Sequence, residues 1–145
     1  MRFTWLGNSP WTPHSYGVQA GLITPRLNNA GHPTAVISIY GHQGNSIIWN
    51  GVQVFGNSYH PYCQDVMHSH SVTWGADAMI TMLDVQSIEP EGLLGTKWAP
   101  WFPIDHVTIP PGILEKLRHA DYRMVMSQAA SHELDKADVE HTYIP

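Results

Sequence analysis

The sequence has a single cysteine, Cys63, so no disulfide can form within the chain, and that content suits a reducing compartment. Basic residues are scarce: seven Lys and Arg stand against twelve Asp and Glu, a net charge of −5. Nucleic-acid binding draws on a basic surface that displaces counterions, and this chain cannot supply one. A polybasic cluster and a basic amphipathic segment are also missing, which removes the usual electrostatic route to a membrane surface. No apolar run approaches the roughly 20 residues needed to cross a bilayer. The opening Met1–Leu6 run is too short for a signal-peptide core, so a cytoplasmic location is expected. There is no G-x-G-x-x-G fingerprint, which argues against nicotinamide or flavin, and no organic cofactor is expected. A G-x-S-x-G elbow is absent too, and Cys63 has no catalytic signature around it, so nucleophilic hydrolysis has no support.

What remains is unusual in its balance. At 145 residues and 43% hydrophobic, the chain can bury a real core, and one domain over residues 1–145 is expected. Charged residues make up only 13%, about half of the ~25% typical of globular proteins. Six Trp, six Tyr and ten His take their place. Two readings stand side by side. The surface is simply rich in aromatics and amides, or part of it is covered by a partner, since interfaces favour aromatics over Lys and Glu.

Short apolar runs alternate with helical patterns, the signature of an α/β fold with a mostly parallel sheet and helices on both faces. Phe3–Leu6 reads as a strand, followed by a loop dense in breakers from Gly7 to Gly17. Val18, Leu22, Ile23, Leu27 and Ala30 recur at helical spacing, with Gly31 as a stop and Pro25 as an expected kink. Thr34–Tyr40 is a second, β-branched strand. Asn50-Gly51 between Ile47–Trp49 and Val52–Val54 predicts a β-hairpin with a type I′ turn. A helix is expected from Cys63 to Trp74 and a strand from Asp77 to Leu83, ending at Asp84. Ser87–Pro100 looks irregular, and Trp101–Asp105 reads as a strand. Pro110-Pro111 open a helix, Tyr122–Met126 is a strand, Ser127 caps a helix to about Asp138, and Thr142–Ile144 is a last strand. Ending on a strand suggests a chain meant to continue.

Ligands of open α/β sheets sit at the carboxyl ends of the strands, where strand order reverses. That rule selects the 7–17 loop, the 40–46 loop, Asp84, and Asp105-His106. Gly17 at a helix start lets a backbone approach an anion, or it is only a turn residue. Asp84 can accept a hydrogen bond from a substrate hydroxyl, or it caps the next segment. His106 can serve as general acid, base or structural donor. His68-Ser69-His70 and Asp105-His106 share residue types with metallohydrolase ligand sets, which carry H-x-H-x-D-H in one loop. Here the pieces lie far apart, and no bound metal is expected.

The ordered set of motifs resembles the N-terminal half of family 4 glycosyltransferases of the GT-B fold. The resemblance runs through Asn8-Ser9-Pro10, Ser15-Tyr16-Gly17-Val18-Gln19, Ala30-Gly31-His32 and Tyr40-Gly41-His42-Gln43-Gly44. It continues through Trp49–Val54, Asp77–Thr81, Pro103-Ile104-Asp105-His106, Ser127 and Tyr143-Ile144-Pro145. It implies a Rossmann-like domain that shapes the acceptor side of a cleft, with a donor-binding half beyond residue 145. It also implies retaining transfer from a nucleoside-diphosphate sugar to an acceptor without an essential metal. By that resemblance Ser15, Tyr16, Gly17 and Asp105 would lie against donor or substrate, and Asp84 and His106 would orient hydroxyls as the catalytic pair. Many members carry His where Asp84 stands. The family's diphosphate-neutralising basic residues and its E-x7-E motif are not in this sequence, so the chain by itself is expected to be inactive. A non-catalytic Rossmann-like binding module is the alternative. Trp11, Tyr16 and Trp101 are expected to line an exposed cleft face through which the chain forms a homodimer.

Overall fold

A computed structural model describes residues 1–145. It is a Rossmann-like α/β fold built on one eight-stranded sheet. The strands are β1 (Phe3–Asn8), β2 (Thr34–Tyr40), β3 (Ile47–Trp49), β4 (Val52–Phe55), β5 (Ala78–Thr81), β6 (Trp98–Phe102), β7 (Met124–Val125) and β8 (Thr142–Tyr143). Their spatial order is β3-β4-β2-β1-β5-β6-β7-β8, parallel throughout except for the antiparallel β3–β4 pair. From β1 the chain winds outward to one side through β2 and the hairpin. It then returns to β5 and winds outward to the other. The reversal falls between β1 and β5, which pair in register from Phe3↔Ala78 to Leu6↔Thr81.

Alternation along β1 feeds two cores. Leu6 joins 17 buried residues beneath α2 (Met67–Trp74), α3 (Pro111–Leu117) and α4 (Gln128–Lys136). Trp5 points the other way, into seven buried residues beneath α1 (Ser15–Asn29) alone. Helices therefore cover both faces, three against one. α1 turns Gly17, Ala20 and Thr24 inward, small residues at helical spacing that let it lie close on β1, β2 and β4. It does not reach β5–β8. On that half of the face, Phe3, Ala78, Ile80, Ala99, Met124 and Ile144 line an open apolar groove of about 330 Å³.

Most expected elements form, with shifted ends. The hairpin turns on Asn50 (φ 46°) and Gly51 (φ 78°), the paired positive φ of a type I′ turn. Its tip is tied to α1, because Asn28 Nδ2 donates to the Gly51 carbonyl at 3.2 Å. Ser127 caps α4 by accepting from the Ala130 amide at 3.1 Å. α1 begins at Ser15, not Val18, and runs through Pro25 as one 15-residue helix. α2 begins at Met67, because Cys63 takes a positive φ of 54° in a turn.

The strand expected at Trp101–Asp105 forms instead as Trp98–Phe102. All five residues are buried, and Pro103 ends the run. The supposedly irregular Ser87–Pro100 holds a one-turn 3-10 segment, Pro90–Leu93, and the start of β6. Trp101 is consequently not part of an exposed aromatic face. It is 9% exposed, meets Trp5 edge-on at 6.1 Å, and donates to the Ile144 carbonyl at 3.1 Å.

On the α2 side, His70 stacks on Phe55 with 4.3 Å between centroids and 9° between planes. Burial lowers its pKa, against a smaller upward pull from Asp65. An unfolded imidazole takes up a proton near ~6.5, whereas the folded one resists until lower pH. The contribution is therefore present above about 6.5 and is lost as pH falls through the folded pKa. A series of melting curves from neutral to acid pH should show this loss. His70→Phe, which keeps the stack, should flatten the acid limb, and an unchanged limb would place the acid sensitivity elsewhere.

Candidate functional site

The crevice between β1 and β5 is built by one turn. After Asn8 the Ser9 amide donates to the Tyr40 carbonyl at 2.8 Å, and Ser9 Oγ pairs with Ser38 Oγ at 2.6 Å. These bonds bind the turn to the end of β2. The chain then doubles back, with the Thr12 amide and Thr12 Oγ1 both donating to the Ser9 carbonyl, at 3.1 and 2.8 Å. Thr12 is 6% exposed and fills the gap between two glycines. A Cβ on Gly17 would collide with Thr12 Oγ1 and lie 2.6 Å from the Thr12 carbonyl and 2.9 Å from that of Ser9. A Cβ on Gly41 would collide with Thr12 Cγ2, and one on Gly21 would collide with the Pro10 carbonyl. The close approach that Gly17 permits is thus that of the chain's own 9–12 turn.

This packing fixes where α1 starts. His14 occupies the cap position and gives no side-chain hydrogen bond to the helix. Ser15, exposed, and Tyr16, half-buried, form the first turn. The Tyr16 hydroxyl faces Asp84, which follows β5. Burial raises the phenol pKa most, and the negative charges of Asp84 and Asp105 raise it further. Asp84 makes no side-chain cap bond to the 3-10 turn Val85–Ser87, whose Ser87 amide uses the Asp84 backbone carbonyl instead, at 3.0 Å. Its carboxylate is exposed and free for a ligand. Asp105 and His106 are exposed on the loop after β6. Glu133 of α4 holds that loop, accepting from the Thr108 amide at 3.0 Å while bound to Lys136 at 2.7 Å.

The fold brings Tyr16, Asp84 and Asp105 to one crest, with Ser15 beside Tyr16 and His106 beside Asp105. The sequence does not single out Thr12, Ser9 or Ser38, because their role is to clamp the turn. Trp5 is also missed. Its Nε1 is buried with no hydrogen-bond partner, and a Cβ on Gly7, at the end of β1, would lie 3.1 Å from it.

Arg2, Lys97 and Arg123 stand immediately before strands, and Arg26, Lys116, Arg118 and Lys136 stand at the ends of helices. Strand starts lie at the amino edge of the sheet, whereas Lys116 reaches the turn after Asp84, its Nζ donating to the Gln86 and Ile88 carbonyls at 2.8 and 2.9 Å. Neither Asp84 nor Asp105 forms an ion pair with a Lys or Arg. Nor does the fold collect three or more His, Cys, Asp or Glu side chains in a cluster able to hold a metal ion. His68 turns to the Leu93 carbonyl and Thr96 Oγ1, at 3.2 and 3.3 Å, while His70 stacks on Phe55. No helix is long and apolar enough to cross a membrane. No protein-family model and no curated protein matches the chain.

Two outcomes follow. The raised Tyr16 pKa means that its stability contribution is intact below about pH 10 and is lost as pH rises through the folded value. In an ultraviolet titration one phenol should lag behind the other tyrosines, and Tyr16→Phe should remove that late step. Gly17→Ala should destabilise by about 1–3 kcal/mol, the usual cost of overpacking a filled site. Gly112→Ala, where a Cβ meets nothing within 4 Å, is the control. Equal denaturation midpoints for the two variants would contradict the role given to the 9–12 turn.

Proposed function

We propose that this chain is the acceptor-side half of a retaining glycosyltransferase that moves a sugar from a nucleoside-diphosphate sugar to an acceptor. The observation that carries the reading is the meeting of Tyr16, Asp84 and Asp105 at the β1/β5 reversal, the place where open α/β sheets take their ligands. Carboxylates and a phenol suit neutral polyhydroxyl compounds, since the carboxylates accept from hydroxyls and the phenol both accepts and donates. The same crest suits a diphosphate poorly, because two carboxylates without ion-pair partners repel it.

In this reading the diphosphate is neutralised by basic groups of a second half, and the crest orients hydroxyls. Asp84 accepts from a hydroxyl of the acceptor or transferred sugar, with the Tyr16 phenol beside it. Asp105 and His106 line the same side, and His106 is the only imidazole next to a crest carboxylate in sequence. The first-turn amides of Ser15 and Tyr16, which have no partner within the helix, would serve as neutral donors to the donor substrate.

The pure 145-residue chain, incubated with nucleoside-diphosphate sugars, should transfer no sugar and should bind donors more weakly than micromolar by calorimetry. Turnover by the chain by itself, or sub-micromolar donor binding, would overturn the half-enzyme reading.

A further inference from the structure

Between Arg26 and Asp65 the sequence contains no Asp, Glu, Lys or Arg. That stretch includes all of β2, β3 and β4 and so forms one entire side of the sheet. Its outermost strand is β3, which is unpaired on its outer side. Exposed strand edges are normally guarded by charges, proline or a covering element, because their free backbone groups can pair with another chain. β3 has neither charge nor proline, and Ile47 and Ile48 are 40% and 67% exposed on it.

The turn decides which groups are free. In a two-residue hairpin the residues flanking the turn, Trp49 and Val52, exchange hydrogen bonds, and Ile47 and Val54 form the next such pair. Ile48, between them, points its N–H and C=O away from β4. We propose that this edge is the contact of a two-fold dimer, in which β3 pairs antiparallel with β3 of a second copy and Ile48 lies opposite itself. The two Ile48 residues then exchange both hydrogen bonds, N–H of each to C=O of the other. The sheet continues through the axis from one copy into the next.

The charge distribution is what selects a second copy as the occupant. A two-fold axis brings each surface against itself, so any charge near the axis meets its own sign. A chain of net charge −5 can associate with itself without that penalty only where charge is absent, and the β3 side is such a surface. An edge suited to a basic partner would carry acidic side chains, and this one carries none. Pairing here leaves the crest of Tyr16, Asp84 and Asp105 open, so the dimer does not depend on the functional reading.

The test uses the axis itself. Wild-type chain in sedimentation velocity should shift from monomer to dimer as its concentration rises through the micromolar range. Ile48→Lys and Ile48→Glu should each be monomeric, because like charges would face one another across the axis. An equimolar mixture of the two should regain the dimer, since Lys then faces Glu. Circular dichroism of each variant matching wild type shows that the exposed substitution leaves the fold intact. Wild type that stays monomeric would overturn the proposal. So would single variants that remain dimeric, or a mixture that fails to reassociate.

Discussion

The side chain of Thr12, held between Gly17 and Gly41, is the constraint on which the site depends. One face of it donates to the Ser9 carbonyl, and the other fills the space left by the missing Cβ of Gly41. Through Ser9 the same turn is bonded to Ser38 and Tyr40 at the end of β2. Three elements, β1, β2 and α1, are thereby locked in one geometry at the carboxyl edge. The first turn of α1 has nowhere else to go, and Tyr16 is set against Asp84 across the β1/β5 reversal. A helix with ordinary side chains at positions 17 and 21 would have to stand off from the turn, carrying Tyr16 away with it.

Polarity of charge across the sheet follows the same logic of place. Arg2, Lys97 and Arg123 stand at strand starts on the amino edge, while Lys116 is spent on the backbone carbonyls of Gln86 and Ile88. The carboxyl edge is left with Asp84 and Asp105, whose charges help keep the Tyr16 phenol protonated. That imbalance bears on the chemistry more than any single residue does. In the proposed reading such a crest exchanges hydrogen bonds with hydroxyl groups and repels phosphate.

Sequence patterning made much of the fold legible, and the places where it failed have physical causes. β2 and the hairpin announce themselves through β-branched runs and the Asn50-Gly51 turn, which act locally. Ser127 is a local signal too, an oxygen placed to accept from Ala130. β6 was misplaced by three residues because Pro100 looks like a breaker, yet it lies inside a strand buried along its whole length. Burial by β5, β7 and the helices outweighed one missing amide. Trp101 is expected on an aromatic cleft face, yet its place inside β6 packs it against Trp5. Asp84 and Asp105 could be nominated from the rule about strand ends and Tyr16 from the resemblance, whereas neither gave Thr12 or Ser9 its clamping role. Their importance lies in what two distant glycines leave empty, and no spacing pattern encodes that.

The most direct test of the account is an amide NMR titration of the isolated chain with neutral mono- and disaccharides, beside inorganic phosphate. The account predicts saccharide-dependent shifts confined to the first turn of α1, Asp84, Asp105 and His106, lost in Asp84→Asn, with phosphate leaving these amides unmoved. Phosphate shifting the crest while saccharides do not, or saccharides perturbing only residues away from the β1/β5 reversal, would contradict it.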